Sequence, residues 1–196
     1  MLRHGSTQNF SEESGQGPLK LRSIAITGPI TEETSVEVVR ALLTMEAEDV
    51  KMPIVIFINT PGGSVYEAFA IYDVMKAIKP PIVTVGIGKI MSAGVLLVSA
   101  GNKGHRYATP NSYFMTHDMQ CHSSGTFQDT DAQHKHLIDM RDRYLDIMAV
   151  ETKMTLTVLK KKLLAEDYFT AKQAKKLGII DFVSLKKPTA FFRDLE

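Results

Sequence analysis

An α/β domain is what this sequence predicts, on three observations. Strand-like and helix-like stretches alternate along the chain from Arg22 onward. Two of the strand-like runs, "MPIVIFINT" and "PIVTVGIG", are continuously apolar and rich in β-branched residues, as strands buried on both faces are. Each run leads into small residues and then a helical pattern, the layout of a crossover joining parallel strands.

Taken in order, residues 1–20 are polar, rich in Ser, Gly, Glu and Gln, and without period, so a flexible arm is expected there. Residues 22–27 form a short strand punctuated by Gly28–Pro29. A helix is expected over 31–49, with Val36, Val39, Leu42, Leu43 and Ala47 on one face. The buried strand 52–60 runs into Pro61–Gly62–Gly63 and a helix that ends at Pro80. A second buried strand spans 81–88, and "SAGVLLVSAG" at 92–101 is a small-residue helix. Residues 105–117 hold one or two short strands parted at Thr109–Pro110. Over 128–150 Leu137, Met140, Tyr144, Ile147 and Met148 recur at helical steps. The plain reading is a surface-to-core helix whose methionines fill gaps. A short helix is expected at 156–167, then a helix from Tyr168, a stop at Gly178 and a terminal strand. Residues 21–185 thus make one domain between the arm and a C-terminal tail, 186–196.

Composition narrows the function classes. The 196 residues are 44% hydrophobic, enough for one chain to bury a core of its own. A net charge of +1 offers no basic field for nucleic acid or an anionic membrane, so neither partner is expected. No apolar run approaches the roughly 20 residues that cross a bilayer, and the first residues lack the apolar segment of a secretory signal. The single cysteine, Cys121, excludes an internal disulfide and fits a reducing compartment, so a cytoplasmic location is expected. The "HKH" at 134–136 sits in a polar helical pattern without zinc-ligand spacing; no metal and no cofactor is expected.

Two strand-to-helix turns carry the chemistry. Gly62 and Gly63 let backbone N–H groups approach a ligand closely, either as a phosphate cradle or as an oxyanion hole. No Lys-Ser/Thr follows them and there is no GxGxxG, which argues against nucleotide. Ser92 opens the second helix, but Ile90 stands where a GxSxG elbow needs glycine. Alone it reads as a cap or packing residue. His117 ends an apolar strand, and Glu166 and Asp167 precede "YFTA", where a carboxylate is most simply a cap. Their order changes that reading, because a serine nucleophile needs a base and the base needs an acid to fix its tautomer.

From about Arg22 to Val183 the chain resembles the proteolytic subunit of the Clp protease, within the crotonase-like superfamily. The resemblance rests on "INTPGGSVYEAFAIYDVMKAIKP", "GKIMSAGVLLVSAGNKGHRYATPNS", "FMTH" and "YFTAKQAKKLGIID". It implies a crotonase/ClpP-like fold, with stacked β-strands wrapped by helices and a protruding helical handle over 125–150. It implies a serine endopeptidase with Ser92 as nucleophile, His117 as base and Glu166 as acid, Asp167 being the alternative. The oxyanion hole would be the amides of Gly63 and Ala93. Gly62, Ser64 and Val65 on one side and Gln120, Cys121 and His122 on the other would flank an extended peptide. The implied partners are unfolded polypeptide, further copies of the chain in a heptameric ring (one ring or two), and an ATPase unfoldase. Asp118–Met119 departs from the family's Gln-Pro, and a short polar segment replaces its N-terminal helix and docking loop. Other readings are a virus-type capsid-processing relative, a non-catalytic ring subunit, and a crotonase-type acyl-CoA enzyme.

Overall fold

A computed structural model describes residues 22–120, 124–164 and 166–184. The arm expected over 1–20, the tail over 186–196, and Cys121 and His122 lie outside the described residues. The elements are β1 (Ser23–Thr27), α1 (Glu32–Glu48), β2 (Ile54–Thr60), α2 (Val65–Ala77), β3 (Ile82–Met91), α3 (Ala93–Ser99), β4 (Arg106–Ala108), β5 (Tyr113–Thr116), α4 (Phe127–Glu151), α5 (Leu156–Leu164), β6 (Asp167–Thr170), α6 (Ala171–Lys176) and β7 (Phe182–Val183). The α/β expectation is met. Strands β1, β2, β3, β4 and β7 lie side by side in that order and all pair in parallel.

The apolar runs form the middle of this sheet. Ile54, Ile56 and Ile58 of β2 and Ile82 and Ile90 of β3 are buried in one large cluster with α2, α3 and part of α4. Val55, Val83, Val85 and Tyr107 are buried on the opposite face, which explains why neither run alternates. Every residue of α3 is buried. It packs close to β2 because position 94 is glycine: a Cβ there would lie 2.4 Å from Thr60 Cγ2.

Strand β3 changes partner within its length. Thr84–Gly86 pair with β4, whereas Lys89–Met91 pair with β5. On β2, Ile58 faces Gly86 but Thr60 faces Ile90, so two residues oppose four. Gly88 takes φ +65° at this bulge, and Asn59 Oδ1 accepts the Lys89 N–H there at 3.3 Å. The strand therefore runs three residues past the expected end at 88 and is re-aimed before Ser92.

Two further expectations are corrected. The inward face of α1 is Ser35, Val38 and Leu42, while Val36 and Leu43 are about half exposed. Apolar residues recur at helical spacing on two sides of this helix, and the pattern alone does not rank them. The segment after Asp167 is not helical from Tyr168: Asp167–Thr170 is β6, antiparallel to β5. Tertiary packing decides this, since Phe169 stacks on Phe114 at 5.6 Å between ring centres. Thr170 then caps α6 in a reciprocal capping box with Gln173.

Candidate active site

Ser92 stands between the re-aimed end of β3 and the start of α3. It is the one non-glycine residue with positive φ among the described residues, at φ 52° and ψ −123°. Such a conformation costs on the order of 1–3 kcal/mol and persists only where its surroundings enforce it. Here the Ser92 N–H donates to Met115 O at 2.8 Å, and Ser92 O accepts the Val95 N–H at 2.9 Å. The phenol of Tyr144, from α4, donates to the same carbonyl at 3.5 Å. Gly62 closes the turn from the other side, where a Cβ would come within 2.6 Å of Ser92 Cβ and 2.9 Å of Met91 O. The serine side chain makes no capping bond to α3. Its Oγ lies instead 2.9 Å from His117 Nε2.

His117 reaches that position because β5 pairs in parallel with the last residues of β3. Lys89, Ile90 and Met91 oppose Tyr113, Phe114 and Met115, so the two strands end together. The imidazole is half-buried.

The Pro-Gly-Gly turn supplies a third wall. Ile30 bridges to it, donating its N–H to Gly62 O and accepting the Ser64 N–H, both at 2.9 Å. A Cβ on Gly63 would meet Ile30 O at 2.3 Å, so only glycine lets the two backbones come this close. The bridge to Ile30 uses Gly62 O and the Ser64 N–H, so it leaves the Gly63 N–H unused, and Gly63 lines the cavity. Ala93 opens α3, and its N–H has no acceptor within the helix. Ser64 caps α2, accepting the Glu67 N–H at 3.4 Å.

These residues surround one cavity of about 550 Å3, the size of a ligand site. Gly62, Gly63, Ser64 and Val65 form one side, Ser92 and Ala93 the base, and His117 to Gln120 the other side. The sequence-derived set is thus brought together as far as it is described, apart from the two carboxylates. Asp167 faces Thr116 in the last pair of the β5–β6 register, and Glu166 and His117 are the next residues beyond it. Glu166 accepts a hydrogen bond from the Tyr168 hydroxyl, and Asp167 pairs with Lys162. Among the described residues His117 bonds only to Ser92 through its side chain.

Sequence reasoning missed the outer wall. Leu137, Met140, Arg141 and Tyr144 of α4 all line the cavity, as do Tyr66 and Asp118. Three of the four α4 residues belong to the apolar stripe visible in the sequence, but a stripe does not say whether it faces a core or a cleft. The Arg141 guanidinium stands 3.9 Å from the Asp118 carboxylate, a loose and partly exposed pair worth little by itself. Burial pushes the Tyr144 phenol above its ordinary range, so it stays protonated and remains a donor. Tyr66 hydrogen-bonds His136 Nε2 at 2.6 Å, with the two rings stacked.

A hydroxyl bonded to an imidazole, beside a helix start and a glycine amide, has the parts needed for acyl transfer. Such a hydroxyl can lose its proton to the imidazole as it attacks, and acyl transfer also needs N–H donors for the charge that develops on the carbonyl oxygen. Among the described residues no group of three or more His, Cys, Asp or Glu is placed to hold a metal, and no helix is long and apolar enough to cross a membrane. The sequence model of the Clp protease family matches residues 10–187.

Proposed function

Since this chain belongs to the Clp protease family, a family of peptidases, we propose that it is a serine endopeptidase whose nucleophile is Ser92 and whose base is His117. The observation that carries this reading is the 2.9 Å contact between Ser92 Oγ and His117 Nε2 at a strained turn opening on the cavity. Ser92 Oγ attacks the scissile carbonyl carbon while His117 Nε2 takes its proton. The developing oxyanion receives the N–H groups of Gly63 and Ala93, each worth on the order of 3 kcal/mol in such a role. His117 then protonates the departing amine. A water then attacks the acyl-serine while His117 takes its proton, and His117 returns that proton to Ser92 Oγ as the product acid leaves.

Glu166 orients the imidazole through its second nitrogen in this reading, with Asp167 the alternative. The β5–β6 register supports Glu166, because one further step beyond the Thr116–Asp167 pair would bring it across from His117. For it to act, its carboxylate exchanges the Tyr168 hydroxyl for the His117 N–H. The peptide lies extended between Gly62–Val65 and the strand that continues from His117 to Gln120, and on to Cys121 and His122. Several copies form a ring, with the sites facing a chamber, so that admission rather than a selective pocket sets which unfolded chains are cut. An ATPase unfoldase feeds that chamber, and the assembly works in the cytoplasm.

The test is cleavage of an unstructured casein-like polypeptide by wild type and Ser92→Ala, together with fluorophosphonate labelling and a mass measurement of the assembly. Labelling at Ser92, with cleavage lost in the alanine variant, is expected. Wild-type protein that assembles yet neither cleaves nor labels overturns the reading.

A further inference from the structure

We infer that Tyr144 is a positioning residue: its phenol, donated to the carbonyl of Ser92, holds the strained nucleophile turn and couples it to the seating of α4 on the cavity. This rests on the reading of Ser92 as nucleophile. Of the hydrogen bonds that hold the Ser92 backbone, those from Met115 and Val95 are backbone to backbone; Tyr144 provides the side-chain one.

The geometry has two parts. The ring of Tyr144 is 5% exposed and packs in the main apolar cluster, while one face lines the cavity. A phenol buried to that degree usually finds a partner, and among the described residues the Ser92 carbonyl, at a long 3.5 Å, is the one within reach. The tie also reaches across the molecule. Residues 92 and 144 are 52 apart in sequence, and without it the turn has backbone contacts to β5 and α3 but no polar bond to α4. A carbonyl fixed from the α4 side limits rotation of the peptide that joins Ser92 to Ala93. That peptide also carries the Ala93 N–H, so its rotation would redirect the donor assigned to the oxyanion.

The experiment is the rate of fluorophosphonate labelling of Ser92, with peptide kcat and KM, in Tyr144→Phe and Tyr144→Met. Phenylalanine keeps the ring and removes the donor; methionine removes the donor while filling the wall differently. Both variants should label about tenfold more slowly than wild type and lose kcat to match, with KM within about twofold. The acid limb of the labelling rate should keep its midpoint, since the base is untouched and only the plateau falls. Tyr72→Phe, which removes a phenol bound to Glu151 away from the cavity, should leave labelling unchanged. Should one tyrosine variant fail to fold, the other is read alone. Wild-type labelling rates in a folded variant overturn the inference, as does a change confined to KM, which would make Tyr144 a wall only. Absence of labelling in wild type would instead remove the nucleophile reading, so the two failures are distinguishable.

Discussion

Gly62 shows how much of this site is set by the absence of one carbon. Its φ of +94° suits glycine, and a methyl group there would run into Ser92 Cβ and Met91 O. Gly62→Ala should therefore displace the serine by a fraction of an ångström or more. Loss of alignment on that scale costs about 100-fold in rate, so peptide kcat/KM should drop at least that far with a smaller effect on melting temperature. A steady-state assay beside a thermal melt checks it. At the same scale, Glu166→Gln should depress kcat by about 100-fold or more if Glu166 orients the base, and Asp167→Asn should not; the reverse result names Asp167. Activity in the wild type should fall on the acid side as the imidazole takes up the proton it must accept, and a flat acid profile would speak against His117. The order of glycine turn, serine turn and strand-end histidine singled out Ser92 and His117 in the sequence, and the family resemblance supplied their expected roles. The acid was not separable from its neighbour, because adjacent residues of a strand face opposite sides and a one-residue choice moves the carboxylate across the sheet.

Helix α4 shows what an apolar stripe leaves open. Leu145 and Met148 pack into the core, while Leu137, Met140 and Tyr144, along the same helix, reach the cavity. The helix itself was legible to within a residue at each end, and a capping box of Thr126 and Asp129 fixes its start. What it faced was not, since burial against a core and lining of a cleft select the same residue types. Helix α1 makes the point testable. Leu42 is fully buried and Leu43 half exposed, although they are adjacent and identical in type. Leu42→Ala should lower the unfolding free energy by about 2–5 kcal/mol, and Leu43→Ala should stay within about 0.5 kcal/mol. Urea denaturation of the two variants distinguishes them. Equal losses would mean that another surface covers the Leu43 side of α1.

Across the whole molecule, charged groups tie elements that the apolar core leaves separate. Glu151, at the end of α4, pairs with Lys76 of α2 at 2.7 Å and Lys103 at 3.0 Å, and accepts from Tyr72 at 2.9 Å. Asp181 binds Arg106 of β4 through both carboxylate oxygens, at 2.6 and 2.9 Å. Burial raises both carboxyl groups, but the lysines for Glu151 and the arginine for Asp181 outweigh it and hold them below the usual range. A carboxylate lowered on folding stabilises in full above its unfolded value, about pH 4, and loses that contribution as pH falls through the folded value. The melting temperature should thus be level from neutrality to about pH 5 and drop below about pH 4. Glu151→Gln should cost about 2 kcal/mol at neutral pH, between the exposed and buried limits because the lysines are partly exposed, and should flatten the acid drop. Calorimetry across pH checks both. The strand and helix alternation was legible at this scale, and so was the family. The partner switch in β3 was not: it depends on which strand waits beyond the bulge, and Gly88 alone does not say.

The bond from the Ser92 amide to Met115 O has an experimental use. It belongs to the same strand junction that carries the hydroxyl and the imidazole, so opening of the junction parts them. Deuterium uptake at this one amide is then a gauge of how often a resting molecule loses its competent arrangement, readable with no substrate present. Conditions or partners that slow the uptake at residue 92 are those that keep this junction closed.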